Sequence, residues 1–199
     1  MQGTKFLRRV VGGFSLLLLA APAFAEMSLP FGWYLEANVG SSSLEGASYP
    51  GSVSSSGIGY NANLGYKFMP YVAAEFGYTG YANSTIKNSA GTKAGYAKHY
   101  SYDIAMKGIL PFYTSGVEAF AKVGAQRLSA NNTIQDSTTA ATLGFSNASH
   151  SSTGLYIAAG MQYYFMPEFA VNAQWARAEG NSSTGSSSLI SVGVSSIFG

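Results

Sequence analysis

Seven ionisable side chains occupy positions that alternating strands would turn to one shared face. They are the carboxylates of Glu36, Glu75, Asp103 and Glu118 and the ammonium groups of Lys67, Lys107 and Lys122. An isolated charge inside a protein is costly, so opposite charges there should join a hydrogen-bonded network. Glu75, Lys107 and Lys122 lie at similar distances along their predicted strands from the nearest short turns. Glu75 is therefore predicted to bond to Lys107, Lys122 or both, in a network that either plugs the interior or gates ions.

Two further groupings could support nucleophilic or acid–base chemistry. His99 precedes Asp103, and His150 precedes Ser152 in a His-x-Ser spacing that resembles a lipid A deacylase. Strand alternation puts His150 and Ser152 on the inner side or in a loop, away from the lipid on which such an enzyme acts. We therefore expect no enzymatic activity.

Composition excludes several other kinds of site. The chain has no cysteine, which rules out disulfides and cysteine-ligated metals. It shows no metal-ligand cluster, phosphate-binding loop or basic nucleic-acid patch. We expect no metal, no cofactor and no nucleic-acid partner.

The first 25 residues predict export from the cytoplasm. Lys5, Arg8 and Arg9 precede an apolar run over residues 10–21, and Ala23-Phe24-Ala25 provides small residues around a cleavage site. This pattern is typical of a secretory signal peptide cut before Glu26. The alternative is an uncleaved anchor, but the run is shorter than the ~20 residues that a spanning helix needs. Removal of residues 1–25 leaves eight basic and nine acidic residues, a net charge of −1.

The segment from Leu64 to Tyr78 predicts a β-hairpin. Two runs of alternating side chains are joined by Met69 and Pro70. One face of this hairpin is apolar and the other is largely polar. Since no other segment of the chain is left to cover the apolar face, we predict that lipid covers it.

Similar segments, long enough to cross a bilayer as tilted strands, recur along the chain. The eight predicted strands are 33–40, 58–68, 72–78, 99–110, 117–128, 154–165, 169–177 and 188–198. Three short turns alternate with polar loops at 41–56, 82–97, 129–153 and 179–187. This predicts an all-β fold, an eight-stranded antiparallel up-and-down transmembrane β-barrel over residues 26–199. The short turns and both termini should lie in the periplasm.

Closure and filling of the barrel follow from its surroundings. An open sheet would leave unpaired backbone groups in hydrocarbon, so the last strand must pair with the first. Side chains can fill an eight-stranded barrel, and no large permanent pore is expected. The predicted polar network in the lumen comprises Glu36, Glu75, Asp103, Lys107, Glu118, Lys122, Gln162, Asn172 and Gln174.

The outer surface carries aromatic residues near both ends of the strands, as expected for two interfacial girdles. Trp33 and Tyr66 belong to the level near the short turns, and Tyr78 and Trp175 to the level near the loops. Two cationic side chains, Arg127 and Arg177, also face outward at the loop ends of their strands. They are candidates for contacts to lipid phosphate, and the alternative is two rim charges without a bound partner.

Over essentially the whole mature chain, the sequence resembles the transmembrane domain of the outer membrane protein A (OmpA) family. The resemblance is densest at GYKFMPYVAAEFGY (65–78), AMKGILPF (105–112), VEAFAKVGA (117–125), AGMQYYFMPEFAVNAQW (159–175) and LISVGVSSIFG (189–199). It implies a monomeric barrel in the outer membrane of a Gram-negative bacterium, surrounded by lipid and lipopolysaccharide. It also implies the barrel-assembly machinery and periplasmic chaperones as partners during biogenesis.

The resemblance implies that Glu75, Lys107 and Lys122 belong to an internal network that can act as a gate. Gln162 stands where a glutamate is common in that family, and Asn172 where an arginine is common. These neutral residues argue against a gate that exchanges salt-bridge partners. Full-length relatives also carry a periplasmic peptidoglycan-binding domain; none follows Gly199, so we expect no tethering to the cell wall through one.

Three functions follow from these observations. The first is an integral outer-membrane barrel with a structural or surface role and at most a narrow or gated pore. The second is an adhesin or receptor scaffold whose loops bind a host or phage surface ligand. The third, which the face of His150 and Ser152 disfavours, is a lipid A-modifying enzyme.

Overall fold

A computed structural model describes residues 31–46, 52–112 and 115–198, and the predicted signal peptide lies outside these ranges. The described part of the chain contains ten strands and one helix, α1. The strands are β1 (Gly32–Glu45), β2 (Ser52–Ser54), β3 (Ser56–Met69), β4 (Val72–Gly80), β5 (Ser84–Lys87), β6 (Lys93–Phe112), β7 (Val117–Ile134), β8 (Ser149–Met166), β9 (Phe169–Ala178) and β10 (Ser186–Phe198). The helix α1 spans Ser137–Leu143.

Eight of these strands close into a ring. Each of β1, β3, β4, β6, β7, β8, β9 and β10 pairs antiparallel with the next, and β10 returns to pair with β1. The closing ladder begins with Trp33 opposite Phe198 and continues to Glu45 opposite Ser186. The prediction of an eight-stranded, antiparallel, closed barrel is confirmed. Closure satisfies backbone groups that no water could reach within hydrocarbon.

Side-chain exposure alternates along the barrel strands with the period of two that the sequence predicts. Outward Phe76 is 51% exposed and Val192 is 62% exposed, whereas inward Tyr156 is 1% exposed. Within the described residues, no second sheet or helix packs over the outward apolar face. Lipid is the neighbour that such a surface requires.

Aromatic rings contact one another near both ends of the barrel. Trp33 and Tyr66 lie opposite each other in the β1–β3 ladder, with ring centroids 5.2 Å apart. Toward the other end, Tyr78 and Tyr102 are opposed across β4 and β6, also at 5.2 Å. The two levels fit the interfacial girdles that the sequence predicts.

The predicted loops are wrong in extent, because the strands continue beyond the apolar alternation. The predicted loop 129–153 contains the last residues of β7, the helix α1 and the start of β8, and the loop 82–97 contains β5 and the start of β6. β1 and β3 likewise extend into the predicted loop 41–56, and β10 begins at Ser186 within the loop 179–187. These ends lack the alternation of a strand that faces lipid on one side, so the backbone ladder that continues them could not be read from the sequence pattern.

We call β2, β5 and residues 93–98 and 129–153, which include α1, the distal extension. β5 pairs with the start of β6, and β2 pairs with β5. Its small core consists of Ile86, Ala94, Ala97, Ala140 and Phe145, all nearly fully buried. The sequence analysis missed α1, which begins after the N-cap Asp136 and ends at Gly144, where φ is 68°. No helix among the residues described is long and apolar enough to span a membrane.

Candidate functional site: the charged lumen

Four charged side chains from four different strands meet inside the barrel. We call Glu36 of β1, Glu75 of β4, Lys107 of β6 and Lys122 of β7 the ionic ring. Each ammonium contacts both carboxylates: Lys107 Nζ lies 3.5 Å from Glu36 and 3.2 Å from Glu75, and Lys122 Nζ lies 3.2 Å and 2.7 Å from them. All four residues are at most 3% exposed. Glu75 therefore contacts both lysines, as the sequence predicts.

Aromatic side chains complete the same level of the lumen. The Tyr34 hydroxyl donates a hydrogen bond to Glu75 at 2.6 Å. Lys107 Nζ lies 4.3 Å from the centre of the Phe120 ring, close enough for a cation–π interaction. Gly65 makes room for Tyr34, since a Cβ at Gly65 would fall 2.3 Å from Tyr34 Cζ. Rings and charges thus fill the cross-section together.

A second ion pair lies beside the ionic ring. Lys67 Nζ contacts Glu118 Oε1 at 2.6 Å, with both side chains buried. Gln162 joins this pair to the ionic ring: its amide nitrogen donates to Glu118, and its oxygen accepts from Lys107 at 3.3 Å. The same amide nitrogen lies 3.1 Å from the Tyr164 hydroxyl. The two charged groups therefore form one connected network.

On its other side, the ionic ring is bordered by a row of amides. Asn38 and Asn63 both donate to Glu36 Oε1 at 2.9 Å. Asn61 donates to Thr79 at 2.9 Å and accepts from Gln174 at 3.3 Å. Glu36 thus receives hydrogen bonds from two amides as well as from two ammonium groups, which compensates for its loss of water.

Little space remains at the level of the charges. The cavity bounded by Tyr34, Lys67, Lys107, Gln162 and Tyr164 has a volume of about 10 Å³. A single water molecule needs about that much room. Charged side chains and aromatic rings therefore fill most of the lumen at this level.

All nine predicted lumen residues are buried inside the barrel. Six belong to the connected network, namely Glu36, Glu75, Lys107, Glu118, Lys122 and Gln162. Gln174 joins it through Asn61, whereas the polar side-chain atoms of Asp103 and Asn172 have no hydrogen-bond partner among the described residues. Their predicted place in the network is therefore not supported by direct contacts.

The nine-residue prediction left out several members of the network. Lys67, which the sequence places on the inner face, is the direct partner of Glu118. Tyr34, Asn38, Asn61 and Asn63 were also omitted. The sequence pattern could have identified these residues. Tyr34 and Asn38 lie on the same face of β1 as Glu36, and Asn61 and Asn63 lie on the same face of β3 as Lys67.

The two outward arginines lie at the rim in different surroundings. Arg177 binds Glu179 at 2.6 Å and Glu45 at 2.9 Å. The hydrogen bond from Arg177 lowers the pKa of the Glu179 carboxyl below its ordinary value. Arg127 donates to Ser151 at 3.1 Å. Arg177 is thus neutralised by protein carboxylates, whereas the contact of Arg127 is to an uncharged hydroxyl. A contact between Arg127 and lipid phosphate stays a prediction.

The candidate catalytic pairs do not assemble in the structure. His99 and Asp103 lie on one strand four positions apart, roughly 13 Å along its axis. Ser152 Oγ lies 2.6 Å from Thr184 Oγ1, and the described contacts include no bond between Ser152 and His150. A nucleophile and base would need that bond. Among the described residues, no group of three or more His, Cys, Asp or Glu side chains could hold a metal ion.

Comparison with solved structures shows the same architecture at low sequence identity. Ail of Yersinia pestis is 18% identical, with a TM-score of 0.56 over 85% of this chain and 100% of Ail. Neisserial surface protein A is 19% identical, with a TM-score of 0.57 over 84% of this chain and 97% of the other. OprG of Pseudomonas aeruginosa is 13% identical, with a TM-score of 0.60 over 84% and 98%. At these identities the likeness establishes the fold alone.

Sequence comparison supplies the family. No curated protein matches the chain. The family model described as outer membrane protein beta-barrel domain matches residues 14–198, nearly the whole sequence. Together with the closed ring of strands and its lipid-facing surface, this match shows that the chain belongs to the outer membrane protein beta-barrel domain family and is an integral outer-membrane protein.

Proposed function

We propose that this protein is a monomeric surface barrel of a Gram-negative outer membrane, sealed by the ionic ring. The observation that carries the proposal is the ionic ring itself, whose four buried side chains meet across the lumen and leave a cavity of about 10 Å³ beside Lys107. A barrel of this kind contributes to the membrane as a structural element and presents its distal end as a surface.

The orientation forms part of the proposal. Residues 1–25 serve as the signal peptide, and the short-turn end, where Trp33 and Phe198 are paired, faces the periplasm. The distal extension then lies outside the cell, in contact with lipopolysaccharide at its base. Barrel-assembly machinery and periplasmic chaperones act on the chain during biogenesis.

A fixed plug accounts for the contacts of the ionic ring better than a gate. Lys107 and Lys122 each bind the same two carboxylates, so opening would leave buried charges unpaired at a cost of several kcal/mol. A gate also needs an alternative partner of opposite charge. Gln162 and Asn172 are neutral and cannot serve as one, and Glu118 is already paired with Lys67.

Planar-bilayer recording tests the seal. The wild-type barrel should be electrically silent, with at most brief events, because the ionic ring occupies the cross-section of the lumen. Glu75→Ala removes one carboxylate and should give more frequent openings. Glu45→Ala, at the exposed rim, is the matched control. Long-lived openings in the wild type would overturn the proposal.

A second candidate function is binding of a sulfated polysaccharide by the distal extension. Its described residues carry Lys87, Lys93 and Lys98 against a single carboxylate, Asp136. Lys87 and Lys93 lie opposite each other across β5 and β6, and Lys98 is exposed. The barrel Ail has been solved with the heparin analogue sucrose octasulfate. The facing ammonium groups of Lys87 and Lys93 are suited to sulfate through charge-assisted hydrogen bonds, and Lys98 adds positive charge further along β6.

Immobilised heparin tests this second function. The wild-type barrel should be retained at low salt and released as salt rises, since exposed charges are screened. Replacing Lys87, Lys93 and Lys98 by Gln should abolish retention, while Lys5, Arg8 and Arg9 are absent from the refolded mature chain. Equal retention of the triple variant and the wild type would exclude the site.

A deletion within the distal extension tests whether this end acts as an adhesin. Residues 129–134 and 149–153 belong to paired strands, so deleting 129–153 would damage the ladder. Deleting 135–148 removes α1 and its flanks alone. Loss of whole-cell binding in that variant would support an adhesin.

Catalysis is not part of the proposal. Purified barrel incubated with lipid A should leave its acyl chains intact, as measured by mass spectrometry. Deacylation that depends on His150 would revive the enzymatic alternative.

A further inference from the structure

The lumen carries one more negative than positive charge. Its carboxylates are Glu36, Glu75, Asp103 and Glu118, and its ammonium groups are Lys67, Lys107 and Lys122. Three of the carboxylates take up the three lysines in ion pairs. Among the described residues, Asp103 has no ion-pair partner, and both of its carboxylate oxygens lack a hydrogen-bond donor. A buried carboxylate left in this state would be costly.

Oxygen atoms converge at Asp103. The residue is 2% exposed and lies opposite Gly77 in the β4–β6 ladder. The point where a Cβ on Gly77 would sit is 2.5 Å from Asp103 Oδ2, 2.6 Å from Asp103 Oδ1 and 2.6 Å from Asn63 Oδ1. Gly77 thus lets these three acceptors approach one another with no side chain between them.

The orientation of Asn63 is fixed by other contacts. Its amide nitrogen donates to Glu36 at 2.9 Å and to Asn61 at 2.7 Å. Rotation of the amide by 180° would lose both bonds and turn an acceptor toward Glu36. The Asn63 oxygen accepts from the Asn61 amide at 3.0 Å and stays close to the carboxylate of Asp103, so these acceptors repel one another unless a positive group lies among them.

Two further acceptors lie on the neighbouring strands. Gln126 is opposite Asp103 in the β6–β7 ladder, and its side-chain oxygen has no partner among the described residues. Its amide nitrogen is held by the carbonyl of Glu179 at 2.5 Å. Tyr156 lies on β8 opposite Gly124, and in the described part of the chain its buried hydroxyl also has no hydrogen-bond partner. Carboxylate, amide and hydroxyl oxygens form the ligand set of hard cations.

We propose that Asp103, with Asn63 and Gln126, binds a monovalent alkali cation in the lumen. One positive charge neutralises the excess carboxylate, whereas a divalent ion would leave a buried excess of opposite sign. This site is distinct from the ionic ring, and its occupancy does not depend on whether the barrel conducts. The cation completes the charge balance of the lumen.

Thermal unfolding of the refolded mature barrel tests the site. Its midpoint, followed by the loss of the fast-migrating species on unheated gels, is measured in NaCl, KCl and N-methyl-D-glucamine chloride at equal ionic strength. The alkali salts should raise the midpoint by several degrees, because a ligand that binds only the folded state stabilises it. Equal midpoints in all three salts would overturn the proposal.

Asp103→Asn supplies the matched variant. Asn retains the shape of the side chain and makes the lumen neutral, so its midpoint should be the same in all salts and above that of the wild type in N-methyl-D-glucamine. Asp136→Asn removes an exposed carboxylate and should keep the full response to alkali cations. An unchanged cation response in Asp103→Asn would exclude the site.

Carboxyl carbon NMR of the wild type gives an independent measurement that needs no variant. In NaCl at neutral pH, Asp103 should show the chemical shift of an ionised carboxylate, and that signal should move when K⁺ replaces Na⁺. The shift of a protonated carboxyl, or one unaffected by the exchange, would show that a proton or water compensates Asp103 instead.

Discussion

The ionic ring and the distal extension lie along the same antiparallel ladder but differ in what fills the space between strands. In the lumen, the strands enclose the paired charges of Glu36, Glu75, Lys107 and Lys122. In the distal extension, Ile86 and Phe145 pack with three alanines in a small apolar core. A membrane barrel turns most of its apolar side chains to lipid, so charged groups share its interior with rings such as those of Tyr34 and Phe120. Beyond the membrane, the ordinary hydrophobic effect applies again.

This difference predicts two units that fail independently. Charges in the lumen connect five strands, β1, β3, β4, β6 and β7, so damage there should weaken the whole barrel. The apolar cluster involves β5, β6 and the segment containing α1, all at one end. Damage there should loosen that end and leave the transmembrane ladder intact.

The largest effect should come from Glu36→Gln. The change leaves Lys107 and Lys122 with Glu75 as their only carboxylate, and should destabilise the barrel by about 3–5 kcal/mol because each buried ammonium loses one of its two ion pairs. Urea unfolding midpoints would measure the loss. Glu45→Gln is the control, since its exposed ion pair with Arg177 should contribute less than about 1 kcal/mol. Similar losses in both variants would mean that the ionic ring is not a stabilising centre.

Ile86→Ala should have a comparable but local effect. Ile86 is fully buried in the apolar core, and its truncation should cost about 2–5 kcal/mol within the distal extension. Limited proteolysis should then cut between residues 84 and 148 sooner, while the unheated gel mobility stays that of a folded barrel. Thr85→Ala, on the neighbouring partly exposed position, serves as control. Loss of the folded barrel band would contradict the independence of the two units.

Gly65→Ala tests how tightly the lumen is packed. The new Cβ would fall 2.3 Å from Tyr34 Cζ, so the ring must move and weaken its bond to Glu75. Overpacking of this kind costs about 1–3 kcal/mol. Adding Tyr34→Ala should remove the clash. The loss of unfolding free energy caused by Tyr34→Ala should therefore be smaller in the Gly65→Ala background than in the wild type. Purely additive losses in urea unfolding would show that the two side chains do not compete for space.

The alternation of side chains predicted the barrel and most of the network, but not the distal extension. A period of two identifies a strand when one face meets lipid and the other a polar interior, as at Glu75 and Phe76. Residues 129–133 have polar or small side chains on both faces, so no period appears. These residues are strands because Ser129 and Asn131 continue hydrogen-bonded ladders that began in the membrane.

The sequence also did not predict which side chains of the network would pair with one another. Depth along the strands sufficed to place Glu75 beside Lys107 and Lys122. It did not show that Glu36 would share both lysines, since β1 pairs with neither β6 nor β7. That contact crosses the barrel, and it depends on the reach of side chains and on the space left by Gly65 for Tyr34.

The smallest effect concerns the cap of α1 in the distal extension. Asp136 accepts hydrogen bonds from the Thr138 amide and the Thr139 hydroxyl, and these bonds lower the pKa of its carboxyl below the ordinary value. Because the folded-state pKa is depressed, the cap stabilises α1 above the ordinary pKa of about 4 and is lost as pH falls through the lower, folded value. NMR shifts of the Thr138 and Thr139 amides should therefore titrate below pH 4. Asp136→Asn keeps a capping oxygen without the titration, so its amide shifts should stay constant over that range. A titration midpoint at or above the ordinary pKa in the wild type would show that the carboxyl does not cap the helix in solution. NMR signals of the ionic ring should be unaffected by Asp136→Asn.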